Sequence, residues 1–162
     1  MNGMVGWLVA VLSAGTAGAA GAQPVSPSIA VFDFTLINTS LAASTPEEMA
    51  RLHRLDDQLN DDLRHRFTTV DIAPVRAKAA DVQSLRDCNG CELDLARTLG
   101  AGLVAYGWVQ KVSNLILNVN LVIEDVSTGR VVHADSVDIR GNTDESWSRG
   151  LRFLLNERIF RE

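Results

Sequence analysis

Between residues 29 and 37 the chain reads Ile29-Ala30-Val31-Phe32-Asp33-Phe34-Thr35-Leu36-Ile37, with apolar residues in both alternating sets of positions. A run of that kind predicts one long strand covered on both faces. After a polar stretch, Thr45-Pro46-Glu47-Glu48 has the layout of a capping box, with an N-cap threonine, proline at the first helical position and glutamate at the third. The helix it opens carries Met49, Leu52, Leu55, Leu59, Leu63 and Phe67 at spacings of three and four, so one stripe packs inward. Residues 68–72 are short and β-prone. Pro74 starts a modest helix to about residue 85, Asp87-Cys88-Asn89-Gly90-Cys91 marks a turn, and a third short helix over 92–99 ends at Gly100, a left-handed C-terminal position.

The second half has clearer periodicity. Two apolar-alternating runs, 103–112 and 115–125, meet at Ser113-Asn114, and Ser127-Thr128-Gly129 turns into a third, 130–139, which predicts a three-stranded antiparallel meander. In the second run Leu115, Leu117, Val119, Leu121 and Ile123 share one side, while Asn118, Asn120 and Glu124 mark a largely wet one. Asn142-Thr143-Asp144-Glu145 caps a last helix with Trp147, Leu151, Leu154, Leu155 and Ile159 inward and Arg149, Arg152, Glu157 and Arg158 outward. The order β-α-β-α-α-β-β-β-α defines an α/β fold, a mixed sheet of about five strands packed with helices in a single domain.

The leader changes the address. An apolar run over 5–12 and a small-residue tract over 14–22, ending Ala20-Gly21-Ala22 before Gln23-Pro24, has the layout of a secretory signal peptide, although no Lys or Arg stands in its first residues. The expected division is residues 1–22 as signal peptide and 23–162 as the folded domain, delivered to the periplasm. The strongly apolar part is too short for a membrane span, which needs roughly 20 such positions. No cysteine stands at the cleavage site to take a lipid, so no membrane anchor is expected after signal removal. The net charge of -5, without a block of Lys or Arg, makes nucleic acid and anionic lipid poor partners.

Candidate chemistry centres on Cys88-Asn89-Gly90-Cys91, the only two cysteines in the chain. In an oxidising compartment they are expected to form a disulfide that staples a loop with little else to pin it. The competing reading is a redox pair, because Cys91 falls where a helix begins and a helix dipole favours a thiolate. A c-type haem would require histidine where Glu92 stands, and a zinc site would need two further ligands, so no cofactor and no metal is expected. His53, Asp57, Asp61 and His65 recur every fourth residue of the first helix, a row that drifts around a straight helix and reads as a solvated face. His133 reads as a sheet residue. No nucleophile elbow, phosphate-cradling loop or His-Glu-x-x-His occurs, so no catalytic residues are assigned. Tyr106 and Trp108 on one strand, with Asp33 as an acid inside an apolar strand, are the residues singled out for a possible binding surface.

Three segments carry a family resemblance: Ile29-Ala30-Val31-Phe32-Asp33-Phe34, the stretch from Ala96-Arg97-Thr98-Leu99-Gly100-Ala101 through Gly102-Leu103-Val104-Ala105-Tyr106-Gly107, and Asp125-Val126-Ser127-Thr128-Gly129-Arg130-Val131. They resemble signature segments of the superfamily of the TolB amino-terminal domain and the CsgG-like envelope proteins. The whole also resembles an uncharacterised family of small secreted bacterial proteins with a Cys-x-x-Cys. The resemblance implies a periplasmic, non-catalytic interaction or assembly domain whose partner is an envelope protein. The chain departs from these relatives in lacking a propeller, a pore-forming insertion and a lipid-bearing cysteine. Two alternatives stand beside it: a periplasmic thiol-disulfide oxidoreductase using Cys88 and Cys91, and a small-ligand binding protein with its pocket at the edge of the sheet.

Overall fold

A computed structural model describes residues 26–82 and 84–161, and the leader assigned to residues 1–22 lies outside them. The predicted first strand is divided in two, β1 (Ser28–Val31) and β2 (Thr35–Asn38). Helix α1 (Pro46–Arg64), strand β3 (Thr68–Val70) and helix α2 (Ala73–Asp81) follow. A single 3₁₀ turn (Leu85–Asp87) leads to α3 (Cys91–Thr98), then come β4 (Leu103–Lys111), β5 (Ile116–Asp125), β6 (Arg130–Arg140) and α4 (Asp144–Phe153), which continues as a π-helix over Leu154–Ile159. The sheet is mixed and six-stranded, in the order β3-β1-β4-β5-β6, with β2 prolonging the line of β1 beside β4. β1 runs parallel to β3 and β4, and β4, β5 and β6 form the predicted antiparallel meander.

The sixth strand arises from a bulge that sequence alternation does not reveal. Val31 pairs with Ala105 and Thr35 with Trp108, so four steps on the β1–β2 line oppose three on β4. One extra residue reverses which side chains face which way. Ile29 and Val31 pack on one face of the sheet and Ala30 and Phe32 on the other, yet Phe34 joins the face of Ile29 and Val31. Phe34 is accommodated because Gly107 lies beneath its ring; a Cβ there would overlap Phe34 and would also stand 2.7 Å from the carbonyl oxygen of Asn120. The first two resemblance segments therefore end on residues that fit one another.

Helices α1 and α4 cover one face. Their buried Leu52, Leu55, Leu59, Leu63, Trp147, Leu151 and Leu154 meet Leu117, Val119, Leu121 and Ile123 of β5. The predicted capping box is present: Thr45 Oγ1 accepts from the Glu48 amide at 3.3 Å and Glu48 Oε2 accepts from the Thr45 amide at 2.9 Å. Met49, at the head of the predicted stripe, is 45% exposed. The other face carries α2, the 3₁₀ turn and α3 over Ala30, Phe32, Val104 and Tyr106. In the β5–β6 turn Asp125 accepts from the Ser127 hydroxyl (2.6 Å), the Thr128 amide (2.8 Å) and the Thr128 hydroxyl (2.9 Å), and these bonds hold its carboxyl down to about 2. The third resemblance segment is thus a turn that its own side chains lock.

Candidate functional site

Three constellations concentrate the polar chemistry, and each is positioned by the sheet. The first lies at the bulge. Asp33 is half-buried and accepts from Arg76 of α2 at 2.8 Å. Behind it the Phe34 amide, left without a ladder partner by the bulge, donates to Oδ1 of Asp56 at 2.6 Å. Asp56 is 9% exposed. Burial pushes its carboxyl up to about 7, helped by the neighbouring charges of Asp33 and Asp57 and opposed by the Phe34 amide and by His53, whose Nδ1 lies 3.8 Å away. Nothing in the sequence separates Asp56 from Asp57 or Asp61 except its position toward the leucine stripe, one step after Leu55.

A polar crevice opens beyond the carboxyl ends of β1 and β3, between Val31, Asn60, Val70, Ile72 and Arg76. That is where parallel α/β sheets place ligands, and where the small-ligand alternative would be housed. Its two arginines are paired, Arg64 with Asp61 and Arg76 with Asp33, both at 2.8 Å, and exposed Asp57 and Asp71 also line it.

The second constellation is an ion pair buried at the far end of β4. Lys111 Nζ stands 2.6 Å from Glu48 Oε1, with both side chains at most 2% exposed. Asn142 Nδ2 donates to the same carboxylate at 2.5 Å, while Asn142 Oδ1 accepts from Trp147 Nε1 and from Arg51 Nη1, each at 3.1 Å. Burial pushes Glu48 up, and the bonds from Lys111, the Thr45 amide and Asn142 outweigh it, leaving the carboxyl below its ordinary range. The capping box signalled Glu48 as a helix-start residue; its long-range partner Lys111 has no local signal.

The third constellation surrounds the cysteines. Cys88 and Cys91 are joined in a disulfide with Cα atoms 5.6 Å apart. Asn89 (φ 59°) and Gly90 (φ 104°) both take left-handed conformations, the requirement of the tight turn that Asn-Gly favours. Glu92 is 6% exposed and its Oε2 lies 3.1 Å from Cys88 Sγ. Tyr106, buried, donates from its hydroxyl to Glu124 Oε1 at 3.2 Å. Glu124 is 8% exposed because α3 roofs this part of the sheet, so the side of β5 read as wet is closed at this position. Burial raises its carboxyl, with Glu92 adding to the rise and the Tyr106 bond opposing it. Trp108 is half-buried beneath the guanidinium of Arg86, 5.1 Å from its ring centre. Tyr106 and Trp108 thus belong with the disulfide loop, while Asp33 belongs to the bulge.

Among the described residues the cluster whose atoms lie close enough for a metal is Cys88, Cys91 and Glu92, and its two sulfurs are bonded to each other. His53, Asp57, Asp61 and His65 are all exposed. His133 packs edge-on against Phe160, with ring centres 5.5 Å apart. No described helix is long and apolar enough to cross a membrane.

Comparison with known proteins bears on the fold. The LpoB C-terminal domain from Salmonella enterica superposes with a TM-score of 0.53 at 15% identity, over 75% of this chain and 87% of that one. PelC from Paraburkholderia phytofirmans, solved as a dodecamer, gives 0.52 at 16% identity over 85% and 90%. Lipoprotein GNA1162 from Neisseria meningitidis gives 0.51 at 16% over 73% and 83%. No curated protein matches the chain in sequence. These likenesses show a shared fold, and by a match over residues 27–159 the chain belongs to the DUF3280 family, described as "Protein of unknown function (DUF2380)".

Proposed function

We propose that this protein is an exported, non-catalytic domain of the cell envelope that works by contact with another envelope protein. One observation carries the reading: an apolar end on a rigid base. Leu115 is 72% exposed, and Val112 (49%) and Ile116 (45%) flank it on the β4–β5 hairpin. The amide and hydroxyl of Thr39 both donate to the carbonyl of Lys111, at 2.9 and 3.1 Å, which pins the loop carrying fully exposed Leu41 beside that hairpin. Directly beneath lies the Lys111–Glu48–Asn142 network. Apolar residues grouped on an ordered frame bury area on association without first losing much freedom, which is how partner surfaces are built.

Three supports accompany this reading. The fold is shared with a domain of LpoB and with a lipoprotein; the leader has a secretory layout; and the three segments resemble the TolB amino-terminal and CsgG-like proteins. Signal removal before Gln23, a periplasmic address and the kinship with those two groups are parts of the same proposal. Asp33, Tyr106 and Trp108 remain in it as a secondary surface, with Asp33 and Trp108 as its accessible members and buried Tyr106 fixing the layer below.

Photo-cross-linking in the native envelope tests it. A probe at Leu115 is expected to give one discrete adduct with another envelope protein, and a probe at exposed His53 none. Leu115→Glu should keep the melting temperature and lose the partner. Equal adducts from both positions, or none from Leu115, would overturn the reading.

A further inference from the structure

Strand β6 ends the sheet, with β5 on one side and no strand among the described residues on the other. Such an edge offers unpaired N–H and C=O groups, and proteins ordinarily blunt it. The first half of β6 follows that rule. Ile123 pairs with His133 and Glu124 with Val131, so Val132 is an extra residue that breaks the line. Asp135 Oδ1 then accepts from the Ser136 amide at 2.7 Å, and Arg158 holds that carboxylate at 3.1 Å.

The second half is left open. The Gly141 amide donates to the Leu115 carbonyl at 3.3 Å, and Ile116 stands opposite Arg140. In an antiparallel ladder successive residues turn their backbone groups to alternate sides, so Val137 and Ile139 bond to β5 while Asp138 and Arg140 point theirs off the sheet. The Arg140 carbonyl is taken by the Ser146 hydroxyl at 3.0 Å. That leaves the N–H and C=O of Asp138 and the N–H of Arg140 facing outward.

Beside this stretch α4 forms a groove with the strand. Gly150 lets the helix come down onto β6, since a Cβ there would stand 2.5 Å from Cγ2 of Ile139. One turn on, Phe153 lines the groove at 49% exposure, together with half-buried Val137. Three arginines, Arg140, Arg149 and Arg152, line it against two acids, Asp138 and Glu157, on a chain whose net charge is -5. Asp138 already accepts from Asn118 and Arg149 donates to Glu145, while Arg140 and Arg152 have no ion pair among the described residues.

We propose that this groove is the docking site for an extended acidic segment of another protein, which adds to β6 as a further strand. Its backbone pairs with Asp138 and Arg140. Alternate apolar side chains cover Phe153 and Val137, and the acidic ones between them meet Arg140, with Arg152 drawing the segment in. Strand addition takes affinity from main-chain bonds and selectivity from the groups beneath alternate side chains. A second copy of this chain fits less well, because a two-fold contact sets the same patch against itself and brings these arginines against their own copies. The groove is a second surface, and the inference does not rest on the apolar end.

The test uses the full chain, isotope-labelled, and two short blocked peptides, one alternating valine with glutamate and the other valine with lysine. The glutamate peptide is expected to slow exchange of the Asp138 and Arg140 amide protons and to bind about tenfold more tightly than the lysine peptide. Asp138→Pro removes an outward N–H while leaving the bonds to β5 in place, and should abolish binding in a folded protein. Arg140→Glu combined with Arg152→Glu should invert the preference, which keeps the proposal open to refutation where the proline variant does not fold. Binding of neither peptide, equal binding of both, or unchanged binding by either folded variant overturns it. So does protection of the same amides by rising protein concentration alone, which would assign the edge to a second copy. Leu115→Glu should leave peptide binding unchanged, so failure here is distinct from failure of the apolar end.

Discussion

The two faces of the sheet are built on different principles. Under α1 and α4 the contacts join long helices with regular leucine stripes to the alternating apolar positions of β5, and Leu59, Leu63, Leu117, Val119, Leu121 and Leu151 have no exposed surface. Under α2 and α3 the helices are short, α2 buries Val75 alone, and two carboxylates and a disulfide share the layer with the apolar side chains. The first face supplies stability. The second face carries polar groups within its packing, and groups that are partly unsatisfied are tolerated only where stability comes from elsewhere. The bulge joins the two, since it moves Phe34 from the alternation of one face into the core of the other.

The largest expected effect tests whether the end of the α1/α4 face is as closed as it looks. Lys111→Ala leaves Glu48 as an uncompensated buried charge and should lower unfolding free energy by about 3–5 kcal/mol, whereas Lys111→Met combined with Glu48→Gln should recover much of the loss. Chemical denaturation of the three proteins checks this, and equal losses for the single and double variants would show that packing, not charge, is at issue.

Next in size, Leu151→Ala should cost about 2–5 kcal/mol through the cavity it leaves, with Leu85→Ala on the opposite face costing less. Arg149→Ala on the same helix, an exposed residue paired only with Glu145, should be nearly neutral. If Leu85→Ala matched Leu151→Ala in a denaturation series, the asymmetry between the faces would be gone.

A smaller effect concerns Asp56 and pH. Its carboxyl lies near 7 in the folded protein and near 3.8 in the unfolded chain. The folded state therefore holds the proton longer, so stability from this group is complete below about pH 4 and is lost as pH rises through 7. The wild type should lose roughly 1–3 kcal/mol over that window relative to Asp56→Asn, whose amide oxygen can still accept from Phe34. The difference between the two pH–stability curves isolates this residue from Glu48, whose lowered carboxyl acts in the opposite sense, and parallel curves would refute the assignment.

Apart from the near-neutral Arg149→Ala, the smallest change should come from the disulfide. Closing so short a loop restrains few unfolded conformations, and replacing both cysteines with serine should lower stability by about 1–2 kcal/mol. A loss as large as that of Leu151→Ala would make the loop a principal support of the α2/α3 face.

Local sequence determined a large part of this protein. Periodicity alone places Leu52, Leu55, Leu59 and Leu63 on one stripe, Leu117 to Ile123 on one side of β5 and Trp147 to Ile159 on the last helix; the capping box at Thr45, the left-handed Gly100 and Gly129 and the Asn89-Gly90 turn follow from residue chemistry within four positions. These features are short-range, so a reader of the chain has every interacting group in view. The cysteine pair was legible for the same reason, three residues apart and joined as expected. What only the tertiary structure decided involves partners far apart in the chain. Phe34 sits over Gly107, Asp56 caps an amide 22 residues away, Lys111 meets Glu48, and α3 roofs Glu124. An acid written in a sequence carries no mark of whether water will reach it; that depends on which elements fold over it, and here the covering elements turned four carboxyls the chain presents as ordinary surface residues into its buried chemistry.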